Sequence, residues 1–224
     1  MKPRAIIFDL DGTLINSLGD IADTMNHILA INNLPVHEED QYRYFIGDGI
    51  QNLIIRALPE DYRSDKFVSE MHRSFEIEYR KRCLIKTRPY PGITNMLKAL
   101  SIKGIKMAVL SNKSDEFTRY MVSELFPDNY FSAVMGSRND TPRKPDPAGA
   151  LMLAKQCGIE PVCCLFIGDS NIDMRTGTNA GMLPVGVLWG FRTEQELRDG
   201  GAESIVAHPG EILSFFPESL SDNT

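Results

Sequence analysis

Residues Ala5 to Phe8 are apolar without polar alternation, the pattern of a strand buried on both faces, and two carboxylates, Asp9 and Asp11, follow at once. After Thr13 the period changes. Leu18, Ile21, Ala22, Met25, Ile28 and Leu29 recur at helical spacing, with Ser17 and Asp20 resembling a capping box built with a shorter acid. Asn32 to Pro35 break that helix. Short helical pieces follow, interrupted by Gly47-Asp48-Gly49, and a longer helix over about Ser64 to Arg82 places Phe67, Met71 and Phe75 on one face. No strand pattern stands out between Asn16 and Cys83, so residues 16–85 read as an all-helical insertion.

From Pro89 onward helices and strands alternate. A helix over Ile93 to Lys103 with Gly104 as its C-cap precedes a strand at Met107 to Leu110. A helix from about Ser114 to Leu125 and a weaker strand at Ala133 to Met135 come next. Asp146 as N-cap and Pro147 at the first helical position open a helix running to Cys157. A strongly apolar strand, Val162 to Ile167, leads to a helix at Asn171 to Ala180, a strand near Pro184 to Leu188 and a final helix near Glu211 to Phe216. Such alternation implies an α/β fold with a parallel sheet and right-handed crossovers. The expected organisation is a core of residues 1–15 and 86–216, the helical insert 16–85, and a mobile polar tail at 217–224.

Composition narrows the function classes. The 24 Lys and Arg against 30 Asp and Glu, a net charge of −6, argue against a nucleic-acid footprint but leave room for a small anionic substrate. Cys83, Cys157, Cys163 and Cys164 form no CxxC motif and read as buried reduced thiols of a reducing compartment. No apolar run approaches the roughly 18 residues that span a membrane, and the chain enters a strand too early for a signal peptide. A cytoplasmic protein with no membrane or nucleic-acid partner is expected. His27, His37, His72 and His208 lack paired metal spacing, and neither a Walker A loop nor a Gly-x-Ser-x-Gly elbow is present.

The candidate chemistry sits where strands end. If the first strand stays extended to Asp11, both carboxylates project beyond its C-terminal end, where open α/β sheets bind ligands. Like charges that close favour a divalent cation between them, and oxygen ligands few in number suit Mg²⁺. Taken alone, the two acids could equally cap a helix or face water. Ser111-Asn112-Lys113 ends the second strand with groups able to donate to phosphate, though Ser-Asn before a helix is also an ordinary cap. Lys144, held extended by Pro145, could neutralise a crowded acidic pocket or could simply be solvated. Gly168-Asp169 ends a third buried strand and could complete a metal site with Asp9, with Asp173 in support; Asp169 could instead be an N-cap.

In order along the chain, these elements are strand then Asp-x-Asp-Gly-Thr, strand then Ser-Asn, Lys-Pro, and strand then Gly-Asp-x-x-x-Asp. Together they resemble the haloacid dehalogenase superfamily over nearly the whole length. The helical insert with its Gly47-Asp48-Gly49 loop resembles the cap of the phosphoglycolate phosphatase subgroup. The resemblance implies a Rossmann-like doubly wound parallel sheet of order 5-4-1-2-3 and a cap closing over it. It implies Asp9 as the nucleophile that becomes an aspartyl phosphate and Asp11 as general acid/base. Ser111 and Asn112 would bind phosphate, Gly12 would bring the backbone close to it, and Lys144 would neutralise charge. Mg²⁺ would be held by Asp9, the Asp11 backbone carbonyl and Asp169, with Asp173 supporting. Gly47, Asp48 and Gly49 would touch substrate as the cap closes. Arg192, in the loop Trp189-Gly190-Phe191-Arg192, could also reach substrate, although packing by Trp189 and Phe191 is the simpler role.

The expected activity is therefore a Mg²⁺-dependent phosphatase of a small phosphorylated metabolite, with 2-phosphoglycolate as the single best substrate. A phosphosugar mutase of the same superfamily is the nearer rival and a non-catalytic phosphate-ester binding module the more distant one. A dehalogenase is disfavoured because Asp11 and the metal-binding acids would be superfluous. Sequence leaves monomer and homodimer equally open.

Overall fold

The computed structural model describes residues 2–217; apart from Pro217, the tail expected at 217–224 lies outside the described residues. Six strands form one parallel sheet: β1 (Ala5–Phe8), β2 (Lys106–Ser114), β3 (Ala133–Ser137), β4 (Cys164–Gly168), β5 (Leu183–Val187) and β6 (Ser204–Val206), in the order β3-β2-β1-β4-β5-β6. The expected five-strand order is present, and β6 extends it beyond β5 at one edge. Ser204-Ile205-Val206 is too short, with only Val206 fully buried, to announce itself by pattern.

The helices are α1 (Leu18–Ile31), α2 (Tyr42–Phe45), α3 (Ile50–Ala57), α4 (Asp65–Arg82), α5 (Ile93–Ile102), α6 (Asp115–Leu125), α7 (Ala148–Cys157), α8 (Asn171–Asn179) and α9 (Glu194–Asp199). Four expected elements shift. Strand β2 runs on to Ser114 instead of ending at Leu110, so Ser111, Asn112 and Lys113 lie within it. The chain at Pro161–Cys163 is a 3-10 turn, so β4 begins only at Cys164. Helix α7 begins at Ala148, one residue later than expected, and Asp146 Oδ1 accepts from the Ala148 N–H at 2.9 Å. The closing segment Pro209–Phe215 is 3-10 rather than α-helical.

Alternation along the strands splits the core in two. Ile6, Phe8, Val109 and Ile167 join the larger apolar cluster, whereas Ala5, Ile7, Ala108 and Phe166 pack on the opposite face. The larger cluster runs on into the helical block between β1 and β2, where α4 packs against α1 and α3. Its α4 face is Val68, Met71, Phe75 and Tyr79, at helical spacing, rather than the stripe beginning at Phe67. Ser64 caps that helix, and Arg80 to Arg82 sit at its negative C-terminal end.

Chain entry and exit of the helical block meet in a short antiparallel ribbon, Ile15–Asn16 against Arg88–Pro89. Here Ser17 and Asp20 depart from the expected capping box: Ser17 makes no side-chain cap bond to α1. Asp20 is buried and accepts from the Lys86 and Thr87 N–H groups and from the Thr87 hydroxyl, at 2.7–3.1 Å. A buried carboxylate needs donors, and the returning strand supplies them. Asp20 therefore ties the two crossings together.

Candidate active site

Register explains why remote residues converge. Phe8 pairs with Val109 on one side and Ile167 on the other, so the C-terminal ends of β1 and β4 lie level beside the middle of β2, which runs on to Ser114. Asp9 follows Phe8 directly, Ser111 lies two residues past Val109, and Asp169 lies two past Ile167. All line one cavity between the sheet and the helical block, enclosing about 790 Å³ with its mouth included.

Asp9, Asp169 and Asp173 each present an oxygen within 4.8 Å of the other two, and all three are buried. Lys144 reaches into this cluster, its Nζ 2.6 Å from Asp9 Oδ1 and 2.7 Å from Asp173 Oδ1. Burial and the neighbouring Asp173 push the Asp9 carboxyl well above the usual range, against the pull of Lys144. Burial, then Asp173, likewise raises Asp169 to about 7, although the Phe191 N–H favours its ionised form. On Lys144 burial works against the charge, but Asp173 and Asp9 outweigh it and hold the ammonium above its ordinary range. One lysine does not balance three crowded acids. An oxygen-only donor set with this unrelieved repulsion is what a hard divalent cation fits, so the cluster could hold a metal ion.

Asp173 does two jobs. Its Oδ2 accepts from the Ser170 N–H at 3.1 Å and hydroxyl at 2.6 Å, closing a capping box at the start of α8 in which Ser170, not Asp169, is the N-cap. Its Oδ1 orients Lys144. Asn112 holds the same lysine from behind: Oδ1 accepts from the Lys144 N–H at 3.0 Å and Nδ2 donates to the Lys144 carbonyl at 3.1 Å. Nδ2 also donates to the Gly47 carbonyl at 3.0 Å, linking β2 to the helical block. Ser111 lines the cavity, and its Oγ accepts from the Lys113 N–H.

The carboxylate of Asp11 has partners of its own, none of them shared with Asp9. It accepts from Lys113 Nζ at 2.9 and 3.1 Å and from the Ser17 hydroxyl at 2.5 Å. Neither donor was assigned that task from sequence; Lys113 differs from any surface lysine only by its neighbours. Gly12 adopts φ +90°, and a Cβ there would overlap the Asp169 carboxylate, so its smallness serves the acid cluster directly.

Two expectations about loops change. Gly47 and Gly49 line the cavity, but Asp48 does not; both its oxygens are held by Arg56 at 2.5–2.6 Å. Arg192 also lines the cavity, yet its guanidinium donates to the carbonyls of Arg43 and, at 2.9 Å, Ile46. Arg43 returns a bond to the Gly190 carbonyl at 3.3 Å. The loop after β5 therefore straps the helical block to the sheet and orients Asp169 through the Phe191 N–H, while Trp189 Nε1 donates to the Thr13 carbonyl. Sequence showed the aromatic-glycine loop but not its hold on Asp169, which depends on β5 lying beside β4.

Residues 6–187 match the family model for haloacid dehalogenase-like hydrolases. The chain belongs to that family. The hydrolase is 36% identical over 188 residues to phosphoglycolate phosphatase of Aquifex aeolicus, covering 84% of this chain and 86% of the relative. It is 29% identical over 223 residues to N-acetylmuramic acid 6-phosphate phosphatase of Pseudomonas aeruginosa, covering 99% and 98%. A solved structure from Lactobacillus delbrueckii subsp. bulgaricus, named as a candidate phosphoglycolate phosphatase, superposes with a TM-score of 0.91 at 30% identity, covering 97% of this chain and all of that one.

Proposed function

We propose that this hydrolase is a Mg²⁺-dependent phosphatase acting on a small phosphorylated metabolite through a phosphorylated Asp9, with 2-phosphoglycolate as the first substrate to test. The observation that carries the reading is the cluster of Asp9, Asp169 and Asp173 around Lys144 at the level ends of β1 and β4. The names of the relatives support the substrate class.

Asp9, Asp169 and the Asp11 backbone carbonyl would hold the ion, which when bound supplies positive charge beside a phosphate and keeps Asp9 ionised. Asp9 would attack phosphorus; a new Asp9–O–P bond forms as the ester P–O bond breaks. Asp11 would give its proton to the departing alkoxide, then take one from the water that cleaves the aspartyl phosphate and frees Asp9. Lys144, fixed from three directions, would neutralise charge on the transferring group, which is most of what phosphoryl transfer requires. Ser111 would bind a phosphate oxygen. The helical segment 16–85, strapped by Arg192 and Arg43 and pinned at Gly47 by Asn112, would act as a lid that limits bulk water. The free thiols fit a cytoplasmic setting.

The test is hydrolysis of p-nitrophenyl phosphate and 2-phosphoglycolate with Mg²⁺ and with chelator, for wild type and Asp9→Asn. Release of free phosphate by wild type alone, and only with the metal, is expected, with Asp9→Asn remaining folded. Phosphate esters bound but not turned over by wild type would leave a binding module. Transfer to a sugar in place of phosphate release would make it a mutase.

A further inference from the structure

One buried cation in the cavity has no part in the reaction just described. Lys113 lies at the end of β2, with its side chain 9% exposed and paired to Asp11, itself 11% exposed. Its Nζ stands 4.8 Å from the centre of the Tyr79 ring on α4 and lines the same cavity as Asp9 and Asp11. We propose that Lys113 is a specificity-determining residue that receives an anionic group, foremost a carboxylate, carried by the leaving group close to the ester oxygen. The inference rests on the phosphatase reading above.

Reach decides the assignment. If Asp11 delivers a proton to the ester oxygen, that oxygen lies one hydrogen bond from the Asp11 carboxylate. The Lys113 ammonium already lies one hydrogen bond from it, at 2.9 Å. A carboxylate on the carbon next to the ester oxygen then falls within range of the ammonium, and a longer leaving group carries its charge past it. Lys144 is shared between two acids, Asp9 and Asp173, and Arg192 is taken up by the carbonyls of Arg43 and Ile46, whereas the ion pair of Lys113 is with Asp11 alone. Apart from Ser114 and Ser170 the surrounding wall is largely apolar, with Ile21, Leu53, Phe75 and Phe117, and its one further acid, Glu76, would repel an anion. A leaving-group carboxylate set against those apolar side chains would lose its water without gaining a charged partner. Pairing with Lys113 is the arrangement that avoids this, and it makes the charge a selection criterion.

The experiment compares kcat/KM for 2-phosphoglycolate and for its neutral carboxamide, an ester of the same size, with Mg²⁺ present. Wild type is expected to prefer the carboxylate by about 10- to 100-fold, the range for a hydrogen bond to a charged group. Lys113→Met should reduce that ratio at least about tenfold, chiefly through KM for the carboxylate, and Lys113→Arg should restore part of it. Equal losses on both esters would mean that Lys113 only positions Asp11, and would overturn the proposal. A wild-type ratio near one would overturn it too, whether or not the variants fold. Turnover of p-nitrophenyl phosphate by wild type separates these failures from failure of the phosphatase reading, in which no ester is hydrolysed.

Discussion

The acid cluster makes a prediction about stability that can be read without substrate. In the metal-free protein, burial and Asp173 raise Asp169 to about 7 from an ordinary 3.8, and Asp9 is raised in the same direction. Between those two pH values the folded chain keeps a proton that the unfolded chain has released. Stability of the chelated protein therefore falls as pH rises through this window and stays low above it. With each tenfold change in proton affinity worth about 1.4 kcal/mol, Asp169 alone sets a ceiling of about 4 kcal/mol. For a domain of this size that corresponds to about 8–16 °C in Tm.

A divalent cation held by the cluster would favour the ionised acids, so its stabilisation should grow over the same interval. Thermal unfolding with chelator and with excess Mg²⁺, at about pH 5 and about pH 8, measures this directly. The gain from Mg²⁺ should be small at the acid pH and reach several degrees at the alkaline one. Asp169→Asn keeps an acceptor for the Phe191 N–H while removing the charge. In chelator at about pH 8 that variant should be more stable than wild type, and it should have lost most of its response to Mg²⁺. A Mg²⁺ increment equal at both pH values, or an Asp169→Asn protein less stable than wild type in chelator, would refute the crowding argument.

Two further outcomes follow from the loops around that cluster. A Cβ at Gly190 would overlap both Asp169 and the Gly12 carbonyl, so Gly190→Ala should displace Asp169, abolish the Mg²⁺ increment in the same melts and lower kcat by about 100-fold or more. Asn112→Ala strips partners from the buried Lys144 N–H and carbonyl and from Gly47; urea unfolding should show a loss of about 2–4 kcal/mol, and kcat should fall as Lys144 loses its support.

The strands were legible because buried parallel strands are uninterrupted apolar runs, and β1, β2 and β4 each carry one; their order in the sheet was implied only by the family resemblance. The acids were legible because they sit directly past those runs. What escaped was set by contacts distant in sequence. Ser17 and Asp20 have the local spacing of a capping box, but Asp11 and the returning Lys86-Thr87 backbone compete for them and prevail. Asp48 lies in the expected substrate loop, and its pairing with Arg56, eight residues on, was not legible there. Segment β6 is short and half-buried, with no pattern apart from its pairing to β5.

Sequence by itself settled that three apolar strands end in Asp9, Ser111 and Asp169, because hydrophobic period and chain order are local properties. Only the tertiary structure decided which charges meet: Lys144 with Asp9 and Asp173, Lys113 with Asp11, Arg192 with the backbone of the helical block. Ion pairing depends on distances of a few ångströms between residues as many as 135 positions apart, and no local pattern encodes those.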